Sequence, residues 1–267
     1  MPLRYEKKNG IAYFIIDNGK VNVFTPQMHK DLYHAIRDFE LDRSVRAGIM
    51  MGADGRSFSA GADLKNGFRP ERTREQELDA YLFLHEGEGE EPSRPGWEED
   101  IIRHKRMKPI IGAVTGWCLG QGFIYLLALT DIRVAATDAK FGLPELSYGF
   151  AGVSATTQLA RHLPYAVAAK IVLTGEHIDA EEARRIHLVN TVVPAADVVK
   201  EAERMVGLIA ISPPNAVRVE MEALSIGFNQ AREESIQHGR NLYRLHLLSA
   251  ERQKAGKDFA LKKPTQT

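Results

Sequence analysis

The chain has very little cysteine: one residue, Cys118, in 267. A single thiol cannot close a disulfide within the chain, and a zinc site built from several cysteines is excluded. Net charge is absent too, with 35 Lys plus Arg balancing 35 Asp plus Glu. No overall field therefore draws the protein to nucleic acid. Long apolar runs are also missing. The most apolar stretch, 110–136, is broken by Gly112, Gly116, Gly120, Gln121 and Gly122, and carries Asp131 and Arg133 near its end. A membrane helix needs about 20 continuous apolar residues, so no span is expected. The opening residues, Met1 to Lys8, contain no apolar segment of the secretory kind. The expected setting is the cytoplasm, or in a eukaryote a matrix protein without its targeting peptide. The nine histidines show no HExxH-like spacing, so no metal site is expected.

What remains is ordinary globular material, 44% hydrophobic and 26% charged. It is enough for one large domain, or one domain with a small appendage. Strands are expected over 4–8 and 11–17, joined by the hairpin dipeptide Asn9-Gly10. Thr25-Pro26 reads as an N-cap followed by proline at the first helical position. The helix it opens reaches about Leu41, with Met28, Leu32, Ala35, Ile36 and Phe39 at helical spacing. A strand over 47–51 leads into a polar loop over 52–60. Helices are expected over 75–84 and 97–107, separated by an acidic Gly-rich segment, 86–96. A strand over 109–114, a Gly-rich turn, an apolar helix to about Leu129 and a strand over 132–135 follow. The repeat of strand, Gly-rich turn and helix indicates an α/β protein with crossover connections. From about Pro164 helices dominate, over 166–174, 180–186, 195–211, 215–228 and on to about Ser249, with no strand expected after Val193. Leu242, Tyr243, Leu245, Leu247 and Leu248 give the last helix an apolar surplus. Subunit contacts and packing within the chain explain it equally well.

Three segments carry the chemistry. They are Phe58-Ser59-Ala60-Gly61-Ala62-Asp63-Leu64-Lys65, Thr115-Gly116-Trp117-Cys118-Leu119-Gly120-Gln121-Gly122, and Phe141-Gly142-Leu143-Pro144-Glu145. Each Gly-rich segment follows a buried strand and precedes a helix, where backbone N–H groups are unpaired. Two such groups aimed at one point can hold the oxyanion of a thioester enolate, and glycine lets the backbone come close to a ligand.

Taken in order, these segments resemble the crotonase (enoyl-CoA hydratase/isomerase) superfamily. The resemblance continues through Leu173-Thr174-Gly175-Glu176, Glu181-Glu182-Ala183 and Val189-Asn190-x-Val192-Val193-Pro194, and so covers nearly the whole chain. It implies a spiral of ββα units over 1–195 carrying an acyl-CoA site. It also implies a helical trimerisation region over 196–267, and a homotrimer or dimer of trimers. The implied substrate is an acyl-CoA, with coenzyme A present only as part of it and no permanently bound cofactor. The implied oxyanion donors are the amides of Ala62 and Gln121. The run from Gly122 to Asp131 is one residue longer than usual for the family, and if the extra residue sits in the turn, Gly122 becomes the donor. The resemblance further places Lys20, Val21, Val23, Ala60, Ala62, Asp63, Leu64 and Lys65 against CoA, and Phe259 and Lys262 of the terminal helix on its adenine and phosphate. Asp63 also suits a helix N-terminus, where the macrodipole favours a carboxylate. Cys118 reads as a packed core residue.

Hydratases of the family carry two glutamates. Glu145 matches one of them. The other position is Ile124, or Tyr125 if the register shifts, and neither is a carboxylate. Adding water is easiest with two carboxylates that orient it, whereas moving a double bond needs one base. A single Glu145 therefore favours isomerisation or another enolate reaction over efficient hydration. A replacement acid could be Tyr125, His85, or a carboxylate from Glu86, Glu88, Glu90, Glu91, Glu98, Glu99 and Asp100, although a solvated acidic loop also explains that cluster. Two further readings stand beside hydration and isomerisation. One is a CoA-dependent decarboxylase, lyase or hydrolase; the other is a non-catalytic RNA-binding homologue. The second needs an exposed basic row, and Asp38, Glu40 and Asp42 interrupt the one near 37–46.

Overall fold

The computed structural model describes residues 2–53, 55–65, 73–75, 78, 82 and 97–254. Strands β1 (Leu3–Lys8) and β2 (Ile11–Ile16) form the expected antiparallel hairpin. Asn9 (φ 53°) and Gly10 (φ 77°) both take left-handed backbone at its tip, the conformation that matches the twist of two paired strands. Helix α1 (Pro26–Leu41) starts where its cap predicts, with the Thr25 hydroxyl accepting from the Met28 N–H. Its buried face is Met28, His29, Leu32, Ala35, Ile36 and Phe39.

In chain order there follow β3 (Ala47–Gly52), α2 (Trp97–Arg103), β4 (Ile110–Val114), β5 (Trp117–Leu119), α3 (Gln121–Leu129), β6 (Ile132–Ala136) and β7 (Lys140–Gly142). After a 3-10 turn, Pro144–Tyr148, come α4 (Val153–His162), α5 (Tyr165–Thr174), β8 (Ile178–Asp179), α6 (Ala180–Arg185) and β9 (Thr191–Val193). The chain then runs through α7 (Val198–Ala210), α8 (Pro214–Asn229) and α9 (Arg232–Leu247). Six strands form one sheet in the order β1-β2-β3-β4-β6-β9, parallel from β2 onward. Three short strands form a second sheet in the order β5-β7-β8.

Every residue of β3 and β4 is buried, as parallel strands covered on both faces require. Side chains alternate between two cores. Phe14, Ile16, Met50 and Ile110 join Phe39 of α1 and Leu126 of α3 on one face. Ile15, Ile49, Met51 and Ile111 meet Val198, Ala202 and Val206 of α7 on the other. Helix α7 therefore lies on the sheet, although it follows the boundary expected near residue 195.

The structure differs from the sequence-based expectations in four places. Helix α2 stops at Arg103, short of 107, and the Pro109 ring disfavours helical backbone at Lys108. Lys108 is instead drawn to the end of α1, where its Nζ donates to the Phe39 and Asp42 carbonyls (2.6 and 2.5 Å). The Gly-rich turn over 115–122 contains a strand, β5. Strands β7 and β8 have no counterpart among the expected elements, because two or three residues are too few to show a period. Nor does helix α4, which buries only Ala155 and Leu159. Most of the segment expected to be helical over 75–84, and the acidic segment 86–96, lie outside the described residues.

Phe39 is fully buried and meets the Phe14 ring edge-on at 5.5 Å. Phe39→Ala should lower the unfolding free energy by about 3–5 kcal/mol, read from denaturant titration. A loss below about 1 kcal/mol would mean that this core closes around the cavity.

Candidate active site

The three motifs meet through backbone hydrogen bonds. Ser59 bridges Cys118 of β5 in parallel. Phe58 N–H donates to the Thr115 carbonyl at 2.7 Å, Ser59 N–H to that of Trp117 at 2.8 Å, and Leu119 N–H to that of Ser59 at 2.8 Å. β5 in turn pairs with β7, and Gly120 N–H donates to the Gly142 carbonyl at 3.2 Å. Segments far apart in sequence thus become neighbouring strands. The loop before α1 completes the set. Phe24 N–H donates to the Gly61 carbonyl and Asp63 N–H to that of Phe24, both at 2.8 Å, while Ala60 N–H donates to the Val21 carbonyl.

This pairing orients two amides. In the Phe24–Ala62 bridge the bonds come from Gly61 and Asp63, so the Ala62 N–H points to the opposite side. Gln121 is the first residue of α3 and its N–H has no intrahelical acceptor. The two turns touch: a Cβ on Gly61 would lie 3.6 Å from the Gln121 nitrogen. Gly61 (φ 108°) and Gly120 (φ 49°) both hold backbone that other residues rarely adopt.

The geometry also bears on the register. A Cβ on Gly122 would come within 2.5 Å of the Ser59 Cβ. Gly122 is therefore pressed against Ser59, and Gln121 is the residue that borders Gly61. The helix runs unbroken to Leu129, and Thr130 N–H bonds back to the Leu126 carbonyl. Ile124 and Tyr125 are both buried on α3.

Glu145 sits in the 3-10 turn and faces glycine on two sides. Its Oε1 lies 3.1 Å from the place of a Gly120 Cβ, and its carboxyl carbon 3.3 Å from that of a Gly152 Cβ. Oε2 is buried without a hydrogen-bond partner among the described residues. Burial raises the Glu145 pKa above the ordinary carboxylate value, opposed in part by its own backbone N–H. No second charge contributes to the shift.

The remaining expected residues fall in different places. Lys20, Val21 and Val23 lie on the loop bonded to Ala60, with Val21 exposed. Leu64 and Lys65 are exposed. Asp63 accepts from the Lys65 N–H in a turn at 3.1 Å, and the helix expected after it lies outside the described residues. So do His85, Glu86, Glu88, Glu90, Glu91, Phe259 and Lys262. Glu99 pairs with Arg103.

Glu98 goes elsewhere: its Oε1 is 3.1 Å from the Nε2 of His29, whose Nδ1 is 2.5 Å from the Tyr125 hydroxyl. Sequence reasoning does not find His29. Its only signal is a polar residue on the apolar face of α1, which reads equally well as core. Burial raises the Tyr125 pKa strongly, the Glu98 charge adds to the rise, and the Gln121 amide opposes it. Among the described residues no three His, Cys, Asp or Glu side chains cluster as a metal site. No described helix is long and apolar enough to cross a membrane.

Over residues 6–266 the chain matches the family described as enoyl-CoA hydratase/isomerase. An (E)-benzylidenesuccinyl-CoA hydratase from Thauera aromatica is 33% identical over 246 residues, 91% of this chain and 90% of that protein. A short-chain-enoyl-CoA hydratase from Clostridium acetobutylicum is 30% identical over 226 residues, 83% of this chain and 80% of that one. Among solved structures, an enoyl-CoA hydratase/isomerase homologue from Mycobacterium abscessus superposes with a TM-score of 0.81 at 28% identity, covering 100% of this chain and 98% of the other. These relatives do not favour a decarboxylase or hydrolase, nor a non-catalytic RNA binder. With the crotonase-like α/β fold, the stitched turns and the match along nearly its whole length, the chain belongs to the enoyl-CoA hydratase/isomerase family and is an enzyme of that type.

Proposed function

We propose that this enzyme moves the double bond of an enoyl-CoA through a thioester enolate, with Glu145 as the acid/base. The observation that carries the reading is the isolation of Glu145. It stands among glycines with one oxygen unpartnered among the described residues, and no second charge contributes to its pKa shift. The family resemblance puts the second glutamate's position at Ile124, or at Tyr125 if the register shifts; both are buried and neither is a carboxylate. The Ala62 and Gln121 amides receive the carbonyl oxygen as charge builds on it, and each such donor is worth about 10²- to 10³-fold in rate. Glu145 takes a proton from Cα of a 3-enoyl thioester. The pair left behind delocalises onto the oxygen and the alkene, and the same carboxyl returns the proton to Cγ. The double bond ends between Cα and Cβ, and the base is restored.

Lys20, Val21, Val23, Ala60, Asp63, Leu64 and Lys65 are assigned to the CoA moiety, which the bonding of their two segments to one another supports. Phe259 and Lys262 carry the same assignment from the family resemblance alone. Exposed Ile211, Leu224, Leu245 and Leu248 in the helical C-terminal region support assembly as a trimer or dimer of trimers.

Hydration is the second reading, favoured by the names of the relatives, which include (E)-benzylidenesuccinyl-CoA hydratase and short-chain-enoyl-CoA hydratase. In that case Glu145 takes a proton from water as the oxygen adds to Cβ, and returns it to Cα.

Proton NMR in deuterated water with 3-enoyl-CoA, and separately with 2-enoyl-CoA, distinguishes the two. Isomerisation predicts migration of the double bond with deuterium at Cα or Cγ and no hydroxyacyl product. Formation of 3-hydroxyacyl-CoA from the 2-enoyl ester would establish hydration instead. Glu145→Gln should leave acyl-CoA binding intact and reduce turnover by about 10²- to 10⁴-fold; a normal rate would remove Glu145 from the mechanism.

The same variant gives a stability signature. Burial raises the folded-state pKa of Glu145, so the folded protein holds this proton more tightly than the unfolded chain. The stability it contributes is fully present below the ordinary glutamate pKa and is lost as pH rises through the raised value. The amide that Glu145→Gln introduces does not ionise and escapes that loss. The thermal midpoint of Glu145→Gln relative to wild type should therefore rise between about pH 4 and pH 7. A difference that stays constant with pH would mean that Glu145 is not desolvated.

A further inference from the structure

Glu98, His29 and Tyr125 come from three different helices, α2, α1 and α3, and form one hydrogen-bonded chain. A carboxylate only accepts, so the His29 Nε2, 3.1 Å from the Glu98 Oε1, carries its proton toward Glu98. In the neutral ring Nδ1 is then the acceptor, and the Tyr125 hydroxyl donates to it across 2.5 Å. Carboxylate, imidazole and hydroxyl stand in the order of a hydrolase triad. The tyrosine, however, is fully buried, so its hydroxyl orients a neighbour and does not meet substrate.

That neighbour is Gln121, one helical turn earlier on the same face of α3. The Gln121 Nε2 is buried and has no hydrogen-bond partner among the described residues. The Gln121 side chain lowers the Tyr125 pKa against the rise from burial. The second oxyanion segment rests on the same cluster. Phe24 meets the Tyr125 ring edge-on at 5.0 Å and stacks on His29 at 5.7 Å, and its backbone forms both hydrogen bonds that flank Ala62. An aliphatic side chain at 125 would fill the core without the desolvation that a buried polar chain incurs. What the polar chain adds is direction: hydrogen bonds fix the rotation of α3 against α1, which packing alone leaves looser.

We propose that Tyr125, oriented by His29 and through it by Glu98, is the positioning residue of the oxyanion hole, holding the Gln121 end of α3 so that its backbone N–H meets the thioester oxygen. This rests on the assignment of the Ala62 and Gln121 amides as the donors.

The test reads the carbonyl directly. A saturated thioester, butyryl-CoA labelled with ¹³C at the carbonyl, neither isomerises nor hydrates, and its carbonyl stretch in difference infrared reports polarisation by the two amides. Bound to the wild-type enzyme, the band should move to lower frequency. In Tyr125→Phe, which removes only the hydroxyl, the dissociation constant should stay within about threefold. The band should lose at least about half its displacement, and kcat for an enoyl-CoA should fall about ten- to a hundredfold with KM little changed, less than the loss of a whole donor. Glu98→Gln lies at a partly exposed site and tests the same chain where a folding defect in the tyrosine variant would obscure it. It should move band and kcat in the same direction by a smaller amount. Wild-type band position and kcat in either folded variant would overturn the proposal and make the chain a core contact. An unshifted band in the wild-type enzyme would overturn the oxyanion assignment itself, and this proposal with it.

Discussion

The Ser59–Cys118 bridge is the constraint on which the site depends. It is where the chain leaving β3 crosses the chain leaving β4, and the crossing is so close that neither partner can be large. Gly122 faces Ser59 with no room for a methyl group, and Gly116 faces Ser57, whose hydroxyl would be 2.7 Å from an added Cβ. Cys118 is fully buried at the centre of the crossing, and burial pushes its thiol pKa well up. It serves there as a small apolar side chain, not as a nucleophile. Larger residues at these points would separate the two turns.

The main sheet explains why the crossing occurs where it does. β3 and β4 are parallel neighbours whose polypeptide leaves from the same edge. In open α/β sheets that edge, at the carboxyl ends of the strands, is where ligands gather. The two apolar cores hold the strands from both faces, with α1 and α3 on one side and α7 on the other. The elements of the candidate site are thus short segments on a rigid base, and the bonds that join them run backbone to backbone. Side-chain identity matters at few positions, and the role proposed for Gln121 in its glycine-rich turn uses only its N–H.

Much of this is legible in the sequence, because the physics involved is local. Asn9-Gly10 marks the first hairpin, and Thr25-Pro26 marks the first residue of α1. The glycines at 61, 116, 120 and 122 mark the turns, because close approach and left-handed backbone leave few alternatives. What cannot be read is set by long-range contact. β5 and β7 are three residues each and are strands because of long-range pairing, β5 with β7 and β7 with β8. His29 looks like any half-polar core position until Tyr125 and Glu98 are seen on either side of it. Nor does spacing show that Gly122 packs against Ser59 while the Gln121 nitrogen borders Gly61.

Glu98, a carboxylate on a described helix that could have joined Glu145, is held by His29 instead. Its neighbour Glu99 pairs with Arg103. This changes the electrostatics of the reaction more than it changes the packing. A second carboxylate beside Glu145 would raise its pKa through like-charge repulsion, and would also oppose the negative charge that develops on the thioester oxygen. Burial, with no charged neighbour contributing, raises the Glu145 pKa, and in the proposed isomerisation the enolate oxygen meets the Ala62 and Gln121 N–H dipoles. A second acceptor would serve to orient water, and so it bears on hydration alone. Proton transfer between two carbons of one bound chain needs no such acceptor, because the substrate itself holds both sites within reach of the same carboxyl.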